Sequence, residues 1–232
     1  MSTAFADAIA TAENELVVEV ARTPEQVIEA KKLRYRVYCQ ERGFEPGEGG
    51  LEQDAYDDHA HHVLVRNRAT GEVFGTVRVV LSGHDNSLGF PMQRVCDDHI
   101  LSPLPKAGTG EISRFALTRD RTGISPASAA LMRLCLIQGI VQISGDVGLT
   151  HWCAIMEKTL LRLLRSTSIY FLPVGPTVEY HGTRQPAIWT LSGGLERMRL
   201  EKPQLWVFLT RDGTLWSEMT TGNSSQEERL AA

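Results

Sequence analysis

Charged side chains interrupt two predicted strands whose other residues are apolar. Arg78 lies between valines in the segment 73–81, and Glu111 and Arg114 flank apolar residues in the segment 111–118. Removing an unpaired charge from water is costly, so such residues must be paired or must line a cleft. The sequence therefore predicts a sheet that carries ion pairs or a functional site as well as an apolar core.

An acidic stretch that follows a glycine-rich loop supplies candidate partners for these arginines. Asp54 and Asp57 are three residues apart, which places both carboxylates on one side if the loop turns helically. They could neutralise Arg34, Arg78 or Arg114. One interpretation is a charge network that fixes the loop to the sheet edge, and this role does not exclude catalysis.

The predicted elements alternate between strands and helices. This order predicts an α/β fold with a mixed central β-sheet flanked by helices on both faces, in a single domain at 1–216 with a flexible tail at 217–232. The segments are a strand at 15–20, a helix that begins after Thr23, a loop at 43–50, a hairpin of strands at 62–66 and 73–81, a strand at 111–118, a helix at 126–147, a strand at 150–156, a helix at 158–166, a strand at 169–174 that 179–181 may extend, and a last strand at 205–209.

Composition excludes several classes of protein. The 232 residues include 24 basic and 28 acidic side chains, a net charge of −4, which gives no electrostatic reason to expect a nucleic-acid partner. No window reaches the ~18 uninterrupted apolar residues of a membrane span, and residues 1–13 lack the basic region of a secretory signal. The four cysteines are widely spaced and form no Cys-x-x-Cys pair. We expect a cytoplasmic protein with reduced thiols and no integral membrane segment.

Five sequence blocks occur in an order that resembles a known family. The blocks are 33–38, 41–44, 51–57, Arg78 and 111–115. In this order they resemble the acyl-homoserine-lactone synthases and, more closely, their relatives the long-chain N-acyl amino acid synthases and the PEP-CTERM/exosortase-associated acyltransferases. The resemblance covers most of the chain and implies the GNAT acyltransferase fold.

The resemblance also implies roles for individual residues. Glu111 corresponds to the general base, while Ser113 and Phe115 correspond to positions beside the acyl chain and thioester. The implied catalytic set is Glu111, Ser113 and Arg114, and the implied acceptor-binding set comprises Arg34, Tyr38 and Phe44, which fold over the acceptor, with the ion-pair residues Asp54, Asp57 and Arg78.

Amide formation from a thioester gives these roles a chemical reason. An α-amino group with a pKa near ~8 is mostly protonated at neutral pH, so a carboxylate such as Glu111 must accept a proton. Backbone N–H groups can stabilise the oxyanion, and no nucleophilic side chain is required. An amino acid also carries a carboxylate, which suits an arginine fork, with Arg34 as the first candidate and Arg78 as the second.

One position distinguishes the candidate acceptors. The lactone synthases carry tryptophan where this chain has Phe44, and the surrounding Arg-Gly-Phe-Glu sequence resembles the amino acid synthases. The sequence therefore favours N-acylation of an amino acid. The alternatives are lactone synthesis from S-adenosylmethionine, acylation of another amine, and a non-catalytic module that binds acyl carrier protein.

The sequence gives weaker evidence for the residues that bind the acyl donor. The turn that contains Arg119 and Arg121 is a degenerate version of the glycine loop that holds pyrophosphate in enzymes using acetyl-coenzyme A. These arginines could contact an acidic acyl carrier protein, or they form a solvated turn. We expect no bound cofactor, and an acyl-phosphopantetheine thioester, on carrier protein or coenzyme A, as co-substrate. Candidate walls of a long-chain acyl tunnel, each of which could instead be core, are Phe115, Leu117, Trp152, Ile155 and Met156.

Two other groups of residues suggest a metal site and a catalytic thiol, but their spacing gives weak support to both. His59, His61 and His62 lie beside acidic residues, but strand alternation sends the last two to opposite faces and no second ligand pair follows. Cys153 and His151 share a strand face without an acidic partner, which is weak support for a catalytic thiol.

Overall fold

The computed structural model describes residues 3–44, 49–82, 88–102 and 104–214. The predicted tail at 217–232 and part of the glycine-rich loop lie outside these ranges. The helices are α1 (Thr3–Glu15), α2 (Pro24–Arg34), α3 (Pro126–Val147), α4 (Lys158–Ser166), α5 (Leu191–Glu201) and α6 (Pro203–Thr210), and the strands are β1 (Leu16–Val20), β2 (Ala60–Asn67), β3 (Val73–Leu81), β4 (Thr109–Leu117), β5 (His151–Met156), β6 (Leu172–Pro173), β7 (Val178–Glu179) and β8 (Thr183–Thr190).

The chain divides into two compact units. The first comprises Met1–Val79 and Ser113–Ile140, and the second comprises Val80–Ile112 and Val141–Ala232. The strand order is β1-β2-β3-β4-β5-β8-β6, with β7 paired to β8. The β4–β5 pair is parallel, whereas β1–β2, β5–β8, β6–β8 and β7–β8 are antiparallel. The predicted α/β class with a mixed sheet is therefore confirmed.

Helix α2 starts where the sequence predicts. The Thr23 hydroxyl accepts a hydrogen bond from the Gln26 N–H at 3.3 Å, and the Gln26 side chain accepts from the Thr23 N–H at 3.1 Å. This reciprocal capping box is followed by Pro24 at the first helical turn. The helix continues as a π-helical segment, Tyr35–Glu41, a wider turn that is frequent at functional sites.

Helix α3 approaches strand β2 closely at one point in the first unit. A Cβ atom added at Gly139 would lie 2.3 Å from the Val63 Cγ1 atom, so only glycine permits this approach. Helix α3 is long and apolar enough to span a membrane, but 72% of its apolar window is buried inside the protein. A buried apolar helix is typical of a globular core, so this helix is weak evidence for a membrane span.

Three predictions about the second unit are wrong or incomplete. The segment 205–209 is part of helix α6 and not a strand, because Leu205, Phe208 and Leu209 recur at helical spacing and are buried. The predicted strand at 169–174 is reduced to Leu172–Pro173. Strand β8 was not among the predicted elements; it contains Pro186, which is unusual inside a sheet.

Candidate active site

A buried ion-pair cluster lies within the first unit. Its arginines come from α2, β3 and β4, and its carboxylates come from the segment that precedes β2. This ion-pair cluster consists of Arg34, Arg78, Arg114, Glu52, Asp54 and Asp57.

Arg34 is fully buried at the end of α2 and is held by two carboxylates. Its Nη1 and Nη2 atoms donate to the two oxygens of Asp57 at 2.7 and 3.1 Å, and its Nε atom donates to Glu52. Burial alone would lower the pKa of Arg34, but its hydrogen bonds and charge interactions with these carboxylates raise that pKa overall. The planar guanidinium matches a carboxylate in this two-bond geometry, so Arg34 is firmly oriented.

Arg78 is the second buried arginine, at 0% exposure in the middle of β3. Its Nη1 atom donates to Asp54 at 2.6 Å and to Asp57 at 2.9 Å, and its Nε atom donates to the Ser113 hydroxyl at 3.0 Å. Burial raises the pKa of the Asp57 carboxyl, but the bond from Arg34 and the charge of Arg78 outweigh burial and hold that pKa below its usual range. Asp57 is therefore ionised at neutral pH.

The spacing of the two aspartates has a structural explanation. Residues Ala55–His59 form a 3-10 turn, with Asp54 as its N-cap. The Asp54 carboxylate accepts from the Tyr56 N–H at 2.9 Å, and the Asp57 carboxylate accepts from the Asp54 N–H at 3.0 Å. The predicted helical turn is therefore present, and it presents both carboxylates to Arg78.

Arg114 joins the cluster from β4 through an unusual backbone conformation. Its φ angle is +52°, in the left-handed region that residues other than glycine rarely adopt. Its Nε atom donates to Glu52 at 2.9 Å and its Nη2 atom donates to Asp54 at 3.1 Å. The two carboxylates thus hold Arg114 in a strained conformation at the point where β4 passes from Ser113 to Phe115.

Tyr38 and Phe44 lie next to this part of the cluster. The Tyr38 hydroxyl donates to the Phe115 carbonyl at 3.1 Å, and the Arg114 Cζ atom lies 6.0 Å from the centre of the Tyr38 ring. Burial raises the pKa of Tyr38, so the hydroxyl stays protonated. The Phe44 N–H donates to the Tyr38 carbonyl at 2.8 Å, which fixes Phe44 close to the end of the π-helical segment.

Two members of this region were not among the predicted site residues. Glu52 is 4% exposed and bridges Arg34 and Arg114. The sequence feature that could have identified Glu52 as a site residue is its position two residues before Asp54 in an acidic stretch. His62 is 1% exposed, and its Nε2 atom lies 3.7 Å from an Asp57 oxygen, while neither ring nitrogen has a hydrogen-bond partner among the residues that the structure describes.

His62 is a neutral, buried imidazole behind Asp57. Burial, together with the positive charge of Arg34, lowers its pKa to about 3. Within the part of the chain that the structure describes, no group of three or more histidine, cysteine or acidic side chains is arranged to hold a metal ion.

Glu111 lies in the second unit and is 3% exposed. Its Oε2 atom accepts a hydrogen bond from the Met92 N–H at 2.9 Å. Burial raises the pKa values of Cys96 and Cys153, and the charge of Glu111 adds to this effect. Both thiols are therefore protonated, which does not favour the catalytic-thiol alternative for Cys153.

The residues expected to bind the acyl group are described here unit by unit. Trp152 is 1% exposed, its indole N–H donates to the Ser144 hydroxyl at 2.8 Å, and its ring centre lies 4.6 Å from that of Trp189. Strand alternation places Trp152 and Met156 on one face of β5 and Ile155 on the other. Phe115 and Leu117 are half-buried residues of the first unit.

Residues 33–125 match the family model of the acetyltransferase (GNAT) domain. Solved structures share the fold at low sequence identity. The structure of BjaI, a CoA-dependent acyl-homoserine lactone synthase with SAM and isopentyl-CoA, is 20% identical, with coverage of 82% of this chain and 89% of that chain and a TM-score of 0.62. TofI, in a ternary complex with an inhibitor and MTA, is 24% identical, with coverage of 82% and 99% and a TM-score of 0.59.

FeeM, an N-acyl amino acid synthase from uncultured soil microbes, is 16% identical, with coverage of 80% of this chain and 96% of that chain and a TM-score of 0.55. No curated protein matches the sequence significantly. The chain has the GNAT fold, as predicted. The predicted resemblance to the superfamily of acyl-homoserine-lactone synthases and N-acyl amino acid synthases is confirmed at the level of fold, and both branches of that superfamily share it.

Proposed function

We propose that this chain is an N-acyltransferase that moves a long-chain acyl group from a phosphopantetheine thioester to the α-amino group of an amino acid. The ion-pair cluster is the observation that carries this proposal. It combines residues from four of the five sequence blocks that resemble the N-acyl amino acid synthases, and it lies in a GNAT fold. Acyl carrier protein or coenzyme A would supply the thioester.

Glu111 is the proposed general base. It takes a proton from the acceptor ammonium, directly or through one water, and the neutral nitrogen then attacks the thioester carbonyl carbon. The tetrahedral intermediate then breaks its carbon–sulfur bond while the nitrogen gives up its second proton and the departing sulfur gains one, which yields the amide and a free thiol. The buried position of Glu111 and its bond from the Met92 N–H support this role, because they hold the carboxylate in one place.

Ser113 is the proposed donor to the sulfur or the oxyanion. Its hydroxyl oxygen accepts from the Arg78 Nε atom at 3.0 Å, which leaves the hydroxyl proton to be donated elsewhere. Ser113 follows Glu111 by two residues on β4, so both belong to the same short stretch of chain.

Arg114 replaces Arg34 as our first candidate for the acceptor carboxylate. Each side-chain nitrogen of Arg34 already donates to a carboxylate, and the side chain is 0% exposed. The Arg114 side chain is 15% exposed, which makes it more accessible than Arg34 or Arg78. We therefore assign Arg34 and Arg78 to positioning, with Asp54 and Asp57 as the carboxylates that orient them.

Lactone synthesis from S-adenosylmethionine is the second candidate function. It is supported by the shared fold of the lactone synthases, whereas Phe44 in place of their tryptophan favours an amino acid. A module that binds acyl carrier protein without catalysis is the third candidate, and it would release no thiol.

The test is an assay of purified protein with palmitoyl-carrier protein and pooled amino acids. We expect thiol release in step with a new N-acyl amino acid, detected by mass spectrometry. Glu111→Gln should lower the rate by about 100-fold or more, the usual scale for loss of a general base. Glu196→Gln, an exposed residue of α5, is the matched control and should keep full activity. Thiol release without a new amide would contradict the proposal.

A further inference from the structure

His62 is a buried side chain that the proposed mechanism does not use. It is 1% exposed, and neither Nδ1 nor Nε2 has a hydrogen-bond partner within the part of the chain that the structure describes. Burial holds the pKa of this imidazole at about 3, so the ring is neutral, with a proton on one nitrogen and a lone pair on the other. A buried polar group without a partner costs free energy, so both nitrogens need an explanation.

Arg78 has the complementary deficit on the neighbouring strand. Its side chain is 0% exposed, its Nη1 atom donates to Asp54 and Asp57, and its Nε atom donates to the Ser113 hydroxyl. The remaining nitrogen, Nη2, is buried and has no hydrogen-bond partner among the described residues. A guanidinium nitrogen of this type carries two N–H donors, so Arg78 keeps donor capacity in a place that bulk water does not reach.

These two side chains meet at one carboxylate oxygen. The Asp57 Oδ1 atom accepts from the Arg78 Nη1 atom at 2.9 Å, and the His62 Nε2 atom lies 3.7 Å from the same oxygen. The longer distance exceeds that of a hydrogen bond, so Asp57 does not satisfy the imidazole directly. Polar groups at such separations are commonly joined by water, and a buried water molecule typically has about three polar partners. Arg78, His62 and Asp57 supply a donor and two acceptors here.

The charge balance favours a neutral molecule over an ion at this place. The ion-pair cluster contains three arginines and three carboxylates, all of them paired, and His62 adds no charge. An ion would bring an uncompensated charge into a buried site, which is costly. Water carries no charge, and its oxygen can accept from Arg78 while its protons are donated to His62 and Asp57.

We infer that one buried water molecule joins His62 to Arg78, and that His62 is thereby a positioning residue for Ser113. The inference rests on the proposed function, in which Ser113 donates to the departing sulfur or to the oxyanion. Because the guanidinium is planar, a partner that fixes its Nη2 atom also fixes the direction of its Nε atom, which donates to Ser113 at 3.0 Å. His62 therefore acts on the chemical step through Arg78 and does not contact the substrate.

A high-resolution crystal structure of the wild-type protein tests the water site without any assay of activity. We expect one ordered water within hydrogen-bond distance of the Arg78 Nη2 atom and of a His62 ring nitrogen. Crystals of His62→Phe should lack this water. Crystals of His59→Phe should keep it, and this half-buried histidine is the matched control. A direct bond between the two side chains, or no water at this position in the wild type, would overturn the inference.

Kinetics with palmitoyl-carrier protein test the positioning role. His62→Phe should lower kcat by about 10-fold, the scale of one lost hydrogen bond, and should leave KM unchanged. His62→Gln, whose amide can still bond the water, should keep kcat within about 3-fold of the wild type. In a Ser113→Ala background His62→Phe should have no further effect, because the residue through which it acts is gone.

The double variant separates positioning from a merely structural role. An equal loss of kcat from His62→Phe in the wild-type and Ser113→Ala backgrounds would overturn the positioning role, since the two effects would then be independent. Failure of the proposed function would look different, because a protein that is inactive with every donor would still show the water between His62 and Arg78 in the crystal.

Discussion

The residues of the ion-pair cluster depend on one another because they lie out of water. Removing one arginine leaves buried carboxylates without a partner, which typically costs about 3–5 kcal/mol, whereas an exposed pair contributes about 0–1 kcal/mol. We therefore expect Arg34→Met to lower the free energy of unfolding by about 3–5 kcal/mol in urea titrations. Arg36→Met is the matched control, because Arg36 is 47% exposed and 3.7 Å from Glu72, and its effect should stay within about 0.5 kcal/mol. Equal effects of the two substitutions would refute this account of the cluster.

His62 makes a second residue-level prediction, on acid stability. Its folded-state pKa of about 3 lies below the ordinary value of about 6.5, so the unfolded chain binds a proton that the folded protein excludes. The stabilisation is complete above pH ~6.5 and declines as the pH falls towards 3. Between pH 6.5 and 4.5 the wild type should lose about 2 kcal/mol more than His62→Phe, measured by urea unfolding at each pH. His59→Phe should keep the wild-type pH dependence, and a wild-type profile in His62→Phe would contradict the prediction.

The sequence allowed part of this cluster to be predicted. Asp54, Asp57, Arg78 and Arg114 could be grouped because charges in apolar strands need partners and because the blocks resemble a known family. The full burial of Arg34 and its three bonds to carboxylates could not be predicted. Which nitrogen of an arginine meets which carboxylate depends on the packing of elements that are distant in sequence.

At the scale of elements, the contact between α3 and β2 sets a limit on side-chain size. Alanine normally favours a helix over glycine by about 1 kcal/mol, but a Cβ atom at position 139 would overlap Val63. We expect Gly139→Ala to destabilise the protein by about 1–3 kcal/mol in thermal or urea unfolding. Val63→Ala should remove most of that penalty when it is combined with Gly139→Ala, so the double-mutant cycle should show a coupling above about 0.5 kcal/mol. Additive effects would show that the two elements do not constrain each other here.

Element prediction succeeded where local signals agreed. Helices α3 and α4 were predicted with the observed bounds, and α2 starts at its capping box. It failed for α6, where a short apolar run fits either period, and for β8, which contains Pro186 and is nevertheless paired with β5. In both cases tertiary contacts decided what local preference left open.

At the scale of the whole molecule, the GNAT fold is shared by enzymes that accept different amines. BjaI, an acyl-homoserine lactone synthase, and FeeM, an N-acyl amino acid synthase, share this fold. The fold by itself therefore does not select the substrate. The α/β class could be predicted from the order of elements, whereas the acceptor is a proposal that depends on the roles we assign to Phe44 and Arg114.

The most direct test of the central claim is one competition reaction. Purified protein is given isotope-labelled palmitoyl-carrier protein, the twenty amino acids and S-adenosylmethionine together, and the labelled products are identified by mass spectrometry. The account predicts a labelled N-acyl amino acid that depends on Glu111. A labelled acyl-homoserine lactone with release of methylthioadenosine, or thiol release with no labelled amide, would contradict it.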